Sequence, residues 1–156
     1  MKAAIIAIGN EILIGRIQDT NSNWIAECLS ELGIELQYII DIKDVDTQIR
    51  DTLAYVEGRM DLVLITGGLG PTSDDITKHT LASYFDTELI FSSEVKDNIE
   101  RIFKSFGRNK MSETNLSQAY VLKAATILPN SCGTAPGSWI ERNGTVFVSM
   151  PGVPYE

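Results

Sequence analysis

The sequence is poor in the residues that thiolate metal sites and disulfide frameworks require. It contains two cysteines and one histidine, and their positions give no zinc-type Cys/His spacing. Cys28 and Cys132 are far apart, and Cys28 falls on the apolar side of a predicted helix. This position predicts a buried free thiol rather than a disulfide, which fits a reducing cytoplasm. No arrangement of cysteine, serine and histidine indicates a covalent catalytic intermediate.

Positive charge is also scarce, with 13 Lys and Arg against 21 Asp and Glu and a formal net charge of −8. This balance argues against non-specific binding to nucleic acid and against a polybasic membrane contact. The apolar run Ala3–Ile8 is too short to cross a bilayer, and no signal-peptide cleavage site follows it. We therefore predict a cytoplasmic protein. Phosphates remain possible ligands, because backbone N–H groups and metal ions bind them locally.

Strand-like apolar runs alternate with segments of helical spacing, which predicts one α/β domain over residues 1–156. Such alternation is typical of a mostly parallel sheet with helices on both faces. The predicted strands are Lys2–Gly9, Ile34–Ile40, Asp61–Thr66, Glu88–Phe91, Thr126–Leu128 and a hairpin of Ser138–Glu141 and Thr145–Met150. The predicted helices are 21–32, 45–56 with Asp44 as N-cap, Asp75–Phe85, 95–106 and Ser112–Val121. The ending "MPGVPYE" predicts a piece of a longer chain.

The segment "LITGGLGPTSDD", residues 64–75, follows the third predicted strand. Ligands of open α/β sheets bind at such strand ends. Gly67, Gly68 and Gly70 allow the backbone to approach a ligand closely, and their N–H groups can form an anion-binding concavity. Thr72 and Ser73 add hydroxyl donors. This half of the segment therefore predicts a phosphate site, although a glycine-rich loop alone is a weak signal.

Carboxylates accompany the predicted phosphate site and have two explanations. Asp74 and Asp75 end the glycine segment, while Glu11 and Asp19 lie in the loop after the first strand. Acids in the first turn of a helix stabilise it by about 0.3–1 kcal/mol, so capping is one explanation. The other is a divalent cation bridging carboxylates and substrate phosphates. For Asp74 alone capping or exposure is favoured, and for Asp75 the metal is.

Several other side chains have an ordinary structural explanation that competes with a functional one. Trp24 lies between apolar helix positions, which favours core packing over base stacking. For Trp139, packing in the hairpin is favoured over stacking on an adenine. For Lys78 and His79, a position on the solvated helix surface or an indirect role is favoured over direct ligand contact. Arg16 is a candidate phosphate contact.

Five segments that cover nearly the whole chain have a recognisable joint pattern, namely "GNEILIGRIQDTNSNWIAECLSELGIE", "LVLITGGLGPTSDDITKHTLA", "MSETNLSQAYV", "LPNSCGTAPGSWIERNG" and "VSMPGVPYE". Together they resemble the CinA family of competence-damage-inducible proteins. They are similar, more loosely, to the molybdopterin-binding domains of MoaB, MogA and MoeA.

The resemblance implies a three-layer α/β/α fold and a metal-dependent ADP-ribose pyrophosphatase that releases AMP and ribose 5-phosphate. Mg²⁺, Mn²⁺ or Co²⁺ is the implied cofactor, with K⁺ as a further candidate. Many CinA proteins also carry a C-terminal nicotinamide-mononucleotide deamidase domain, which these 156 residues lack. CinA relatives imply a homodimer, and MoaB and MogA relatives imply trimers or hexamers.

The family's site residues match this sequence position by position. Asp75 matches a metal-binding or catalytic acid, Asp74 is its companion, and Glu11 and Asp19 match further acids around the metal. Asn10 departs from the Thr or Asp that relatives often have, so the role of the first loop is less certain. The implied phosphate or substrate contacts are Gly67, Gly68, Gly70, Thr72, Asn21, Ser22, Gly133, Pro151 and Gly152.

Three functions remain open from the sequence. The first is metal-dependent hydrolysis of ADP-ribose or a related nucleotide. The second is a non-catalytic module that binds a phosphorylated pterin or nucleotide through the same loop. The third is a scaffold in which the glycine segment is only a tight turn.

Overall fold

The computed structural model describes residues 1–69, 76–105, 107 and 113–153. Its strands are β1 (Lys2–Ile8), β2 (Glu35–Ile42), β3 (Leu62–Gly67), β4 (Leu89–Phe91), β5 (Tyr120–Leu122), β6 (Thr126–Leu128), β7 (Gly137–Arg142) and β8 (Thr145–Met150). Its helices are α1 (Asn10–Leu13), α2 (Thr20–Glu31), α3 (Asp46–Val56), α4 (Ile76–Tyr84), α5 (Ser93–Ser105) and α6 (Glu113–Leu116), with a 3₁₀ turn at Ser117–Ala119.

The main sheet has six strands in the order β2-β1-β3-β8-β7-β6. Strands β2, β1, β3 and β8 run parallel to one another, whereas β7 runs antiparallel to both β8 and β6. The apolar run Ala3–Ile8 lies in β1, and every residue of it is buried. A strand buried on both faces reads as a continuous apolar run, so the sequence pattern and the structure agree.

Helices cover both faces of this sheet. On one face, Ala4 and Ile6 belong to the same cluster as Leu53 of α3 and Leu81 of α4. On the other face, Ala3 and Ile5 pack with Ile25 and Leu29 of α2. The prediction of a three-layer α/β/α fold with a mostly parallel sheet is confirmed.

The placement of α2 and α4 creates an opening at one edge of the sheet. Strands β1 and β3 are adjacent, but the helix that follows β1 lies on one face and the helix that follows β3 lies on the other. The two connecting loops therefore diverge at the carboxyl ends of these strands. This divergence is the geometry that forms ligand-binding crevices in open α/β sheets.

Two predictions about local structure are wrong because tertiary contacts decide them. Asp44 does not cap α3: the helix begins at Asp46 after Val45, and the Asp44 carboxylate accepts a 2.9 Å hydrogen bond from Thr77 Oγ1. The segment Ser112–Val121 is not one helix within its described part. Strand β5 replaces its end and pairs antiparallel with β4, which suits the β-branched and aromatic residues at positions 120 and 121.

Two side-chain predictions are wrong because the buried faces of their helices differ from the apolar stripe in the sequence. The buried stripe of α2 consists of Ser22, Ile25 and Leu29, which leaves Trp24 67% exposed. Lys78 is only 7% exposed, and its Nζ lies 3.5 Å from the carbonyl oxygen of Ser117. An aliphatic stem allows lysine to be buried in this way.

Both cysteines are free thiols, Cys28 half-buried and Cys132 exposed. Within the described ranges, no helix combines the length and apolar character needed to cross a membrane.

Candidate functional site

A cavity of about 460 Å³ opens at the carboxyl ends of β1 and β3. We call it the glycine cavity. Its size falls in the range of roughly 300–1,000 Å³ that is usual for ligand pockets. Six of the residues predicted from the sequence line it, namely Glu11, Asp19, Asn21, Gly67, Gly68 and Gly152.

The glycines allow three backbone segments to meet at the floor of this cavity. Gly67 has φ +93°, and a Cβ built there would lie 2.1 Å from the carbonyl oxygen of Ile8. A Cβ on Gly152 would lie 2.8 Å from the Cα of Gly67. Gly68 has φ +69° and abuts the Thr77 side chain, where a Cβ would lie 2.1 Å from Oγ1. These contacts explain why glycine is needed at the three positions, since a side chain would not fit. They also leave the floor of the cavity lined by backbone atoms that a ligand can approach.

Asn21 connects the loop after β8 to the centre of the sheet. Its Nδ2 donates to the carbonyl oxygen of Gly152 at 2.8 Å and to Thr66 Oγ1 at 3.2 Å. Thr66 Oγ1 in turn donates to the carbonyl oxygen of Pro151 at 3.4 Å. Asn21 and Thr66 therefore hold the proline loop as one wall of the glycine cavity.

The substitution Asn21→Asp tests this connection because it keeps the shape and removes both donors. A carboxylate oxygen would then face the carbonyl oxygen of Gly152, so we expect a loss of about 1–3 kcal/mol in the free energy of unfolding. Urea denaturation measures it. Asn23→Asp is the matched control, since Asn23 is exposed in the same first turn of α2. Equal stability of the two variants would contradict the role given to Asn21.

Carboxylates concentrate at this cavity. Glu11, Asp19 and Asp44 line it, and none of the described lining residues is Lys or Arg. Asp19 caps α2, where its Oδ1 accepts from the backbone N–H of Ser22 at 3.0 Å. Burial, with the Asp19 carboxylate as the second cause, raises the pKa of Asp41 above its ordinary value. The local field therefore favours a cation at this end of the sheet.

The predicted metal ligands are only partly within the described structure. Glu11 and Asp19 line the same cavity, whereas Asp74 and Asp75 lie outside the described residues. Among the residues described, no group of three or more His, Cys, Asp or Glu side chains is placed to hold a metal ion. Carboxylates are the donors that Mg²⁺ and Mn²⁺ prefer, so the donor type fits, and the ligand set stays a prediction.

The other predicted contacts divide into three groups. Ser22 is 1% exposed, and its Oγ is buried with no hydrogen-bond partner. The N–H of Gly133 donates a hydrogen bond to Asn130 Oδ1. Neither of them is among the described residues that line the glycine cavity. Pro151 lines a neighbouring groove. Gly70 and Thr72 lie outside the described residues.

Sequence reasoning missed two polar residues of this cavity, Thr66 and Asp44. Thr66 had a recognisable signal, because it is the single polar side chain of β3 and directly precedes the glycines. Asp44 had none, since its contact with Thr77 joins positions 33 residues apart. Arg16, predicted as a candidate phosphate contact, is exposed and is not among the described lining residues.

The sequence of the chain matches a known protein family. A family model described as a probable molybdopterin binding domain matches residues 4–156. Over 156 residues the chain is 44% identical to a CinA-like protein of Flavobacterium psychrophilum and 43% identical to a competence-damage inducible protein of Caldicellulosiruptor saccharolyticus. These matches cover 100% of this chain but only 37% and 38% of those proteins. The chain thus spans less than two fifths of their length.

Solved structures agree with the sequence comparisons. CinA from Thermoplasma acidophilum superposes with a TM-score of 0.83 at 31% identity, covering 98% of this chain and 89% of that one. MoaB from Thermus thermophilus superposes with a TM-score of 0.62 at 19% identity, covering 98% of this chain and 82% of that one. The second likeness shows the fold alone. Sequence identity and fold together lead to one conclusion: the chain belongs to the CinA family and has the fold of the molybdopterin-binding domains.

Proposed function

We propose that the glycine cavity hydrolyses a nucleoside-diphosphate sugar, with ADP-ribose as the substrate and AMP and ribose 5-phosphate as the products. The observation that carries this proposal is the meeting of two features in one cavity. Gly67 and Gly68 present backbone at the end of β3, and the carboxylates of Glu11 and Asp19 line the same space. A diphosphate needs close backbone donors and also a cation that offsets its charge beside carboxylates.

Each part of the chain has a role in this proposal. The backbone of the glycine segment from Gly67 to Gly70, with the Thr72 hydroxyl, binds one phosphate. The wall held by Asn21 and Thr66 keeps the proline loop against Gly67 and limits the space open to the substrate. Preorganised groups of this kind stabilise charge in the transition state without having to reorganise.

A divalent cation held by Asp75 and Asp74, with Glu11 and Asp19 nearby, would supply positive charge to the phosphoryl oxygens and assist ionisation of the attacking water. Mg²⁺, Mn²⁺ and Co²⁺ are the candidates, with K⁺ as a further one. The water oxygen forms a bond to phosphorus, and the bond between that phosphorus and the bridging oxygen breaks. The bridging oxygen leaves with the other phosphate.

A second function is favoured by the family match itself. The matched family is described as a probable molybdopterin binding domain. A module that binds a phosphorylated pterin or nucleotide without turnover would use the same backbone and the same cavity. It would not need Asp75 for chemistry.

The deciding experiment measures turnover and binding on the same preparation. The protein is incubated with ADP-ribose and Mg²⁺, Mn²⁺ or Co²⁺, and AMP is quantified by chromatography, while calorimetry measures binding of AMP and ADP-ribose. We expect release of AMP in proportion to ribose 5-phosphate. Binding without release of AMP would favour the non-catalytic module.

Thermal stability distinguishes both of these functions from a scaffold. A ligand present at a hundred times its dissociation constant stabilises the folded state by about 2.7 kcal/mol. We therefore expect a clear rise in melting temperature with ADP-ribose or AMP. An unchanged melting temperature with every phosphorylated ligand, together with no turnover, would contradict a ligand-binding role.

A further inference from the structure

Trp24 is a large aromatic side chain that the fold leaves on the surface beside the glycine cavity. It lies one turn after Asn21 on α2 and is 67% exposed. Exposing an indole ring forgoes about 1.5–3 kcal/mol of burial energy, the range for a large apolar side chain. A single exposed apolar side chain is common on protein surfaces, whereas one that continues into a contiguous apolar groove marks a surface that another molecule can cover.

Trp24 forms part of a second cavity, of about 370 Å³, which we call the Trp24 groove. Its walls are mainly apolar and come from α2, the segment after β6 and the segment after β8. The apolar lining residues include Trp24, Ile25, Leu128, Pro129, Met150 and Val153.

The two cavities are neighbours with a common wall. Asn21, Thr66 and Val153 line both of them. Asn21 Nδ2 is bonded to Thr66 and to the carbonyl oxygen of Gly152, so this wall is fixed by hydrogen bonds. One ligand that crosses the wall would meet backbone and carboxylates on one side and apolar surface with an indole ring on the other.

We propose that the Trp24 groove binds the nucleobase of the ligand, stacked on the indole ring, while the phosphates occupy the glycine cavity. This inference rests on the proposed function, because it requires a ligand in which a planar ring is linked to phosphate. Base–aromatic stacking tolerates different bases, since every base has a π-face. The apolar walls cover the ring faces, and the sugar crosses the common wall at Asn21 and Val153.

The other tryptophan does not fit this role. Trp139 is 38% exposed, and its Nε1 donates to Glu141 at 3.1 Å. It lines a separate cavity with Arg142 and Asp86, and that cavity shares none of its described lining residues with the glycine cavity or the Trp24 groove. The structure therefore moves the candidate for base stacking from Trp139 to Trp24.

The first test uses Trp24 as its own reporter. The chain has two tryptophans, so Trp139→Phe leaves Trp24 as the single one. We expect AMP and ADP-ribose to quench its fluorescence with saturation. Ribose 5-phosphate and pyrophosphate should not quench it, since neither carries a base. Quenching of equal depth by all four ligands would overturn the proposal.

The second test measures affinity by calorimetry. In Trp24→Ala we expect the dissociation constants of AMP and ADP-ribose to rise about tenfold, within the range of base–aromatic stacking, and that of ribose 5-phosphate to stay unchanged. Trp24→Phe should restore most of the affinity. Leu32→Ala is the matched control, because Leu32 is also an exposed apolar residue at the end of α2.

The outcomes separate this inference from the proposed function. If the protein hydrolyses ADP-ribose and Trp24→Ala binds AMP as tightly as before, the base subsite is wrong and the hydrolase stands. If AMP binding depends on Trp24 without any turnover, the subsite stands and the hydrolase is wrong. If sedimentation shows that Trp24→Ala alone breaks an oligomer, the groove is an interface between copies, and the proposal is overturned.

Discussion

Replacing Gly67 with alanine is expected to lower the free energy of unfolding by roughly 2–5 kcal/mol, the sum of a left-handed backbone penalty and steric overlap. The residue has φ +93°, and its new Cβ would lie 2.1 Å from the carbonyl oxygen of Ile8. That oxygen belongs to the backbone of β1, the strand between β2 and β3. It cannot move away without disturbing the pairing of β1 with both neighbours.

Gly58→Ala is the matched control for this substitution. Gly58 also has a positive φ, +71°, but a Cβ there would have nothing within 4 Å. We expect it to lose only the backbone penalty of about 1–2 kcal/mol. Urea denaturation of both variants isolates the steric part as the difference between them. Equal losses would mean that the close approach of Gly67 to Ile8 is not required in the folded state.

The substitution Asp75→Asn is expected to lower kcat/KM for ADP-ribose by at least about 100-fold, the usual effect of losing one group that stabilises transition-state charge. Asp75 itself lies outside the described residues, whereas its neighbours in sequence, Ile76 and Thr77, are described. Ile76 lines the glycine cavity, and Thr77 contacts Gly68 and Asp44. The chain on both sides of the segment 70–75 is therefore anchored at this cavity.

The change from Asp to Asn keeps the size of the side chain and removes its charge, so the fold should persist. Circular dichroism and the melting temperature check that point. Asp51→Asn is the control, since Asp51 is an exposed acid on α3 and should retain full activity. Hydrolysis at an unchanged rate in Asp75→Asn would exclude this residue as the metal ligand or catalytic acid.

Both substitutions act at the same end of the sheet for different reasons. Gly67 is required for folding, because three backbone segments meet there. In the proposal Asp75 is required for hydrolysis, because the charge of the phosphate must be offset. Measuring both stability and turnover on both variants would separate the effect on folding from the effect on hydrolysis.

The features that the sequence predicted well depend on short-range patterns. The apolar run Ala3–Ile8 predicts a strand buried on both faces, because a short apolar run that ends in glycine is typical of such strands. Glycine at positions 67 and 68 identifies a backbone segment whose close approach to its neighbours a side chain would prevent. The position of these glycines after a predicted strand predicts the end of the sheet at which the glycine cavity lies.

The features that the sequence predicted wrongly depend on partners that are distant along the chain. Asp44 has the residue type and position of a helix cap, but its carboxylate accepts a hydrogen bond from the Thr77 hydroxyl of α4 instead. Residues 120 and 121 are predicted as the end of a helix, but they lie in β5, which pairs with β4. Lys78 lies on the buried side of α4 although its charge predicts exposure. In each case a contact between residues about 30 or more positions apart outweighs a local preference worth less than about 1 kcal/mol per residue.

The sequence alone determined the α/β class, the positions of its main strands along the chain and the position of the glycine segment, since periodicity and backbone freedom are properties of neighbouring residues. Only the tertiary structure decided that α2 and α4 lie on opposite faces, that Asn21 holds the proline loop, and that Trp24 faces outward next to the glycine cavity. Those features depend on which face of each helix meets the sheet. A stripe of apolar residues specifies that face only to within about a quarter turn of a 3.6-residue helix, and Trp24 lies inside that margin.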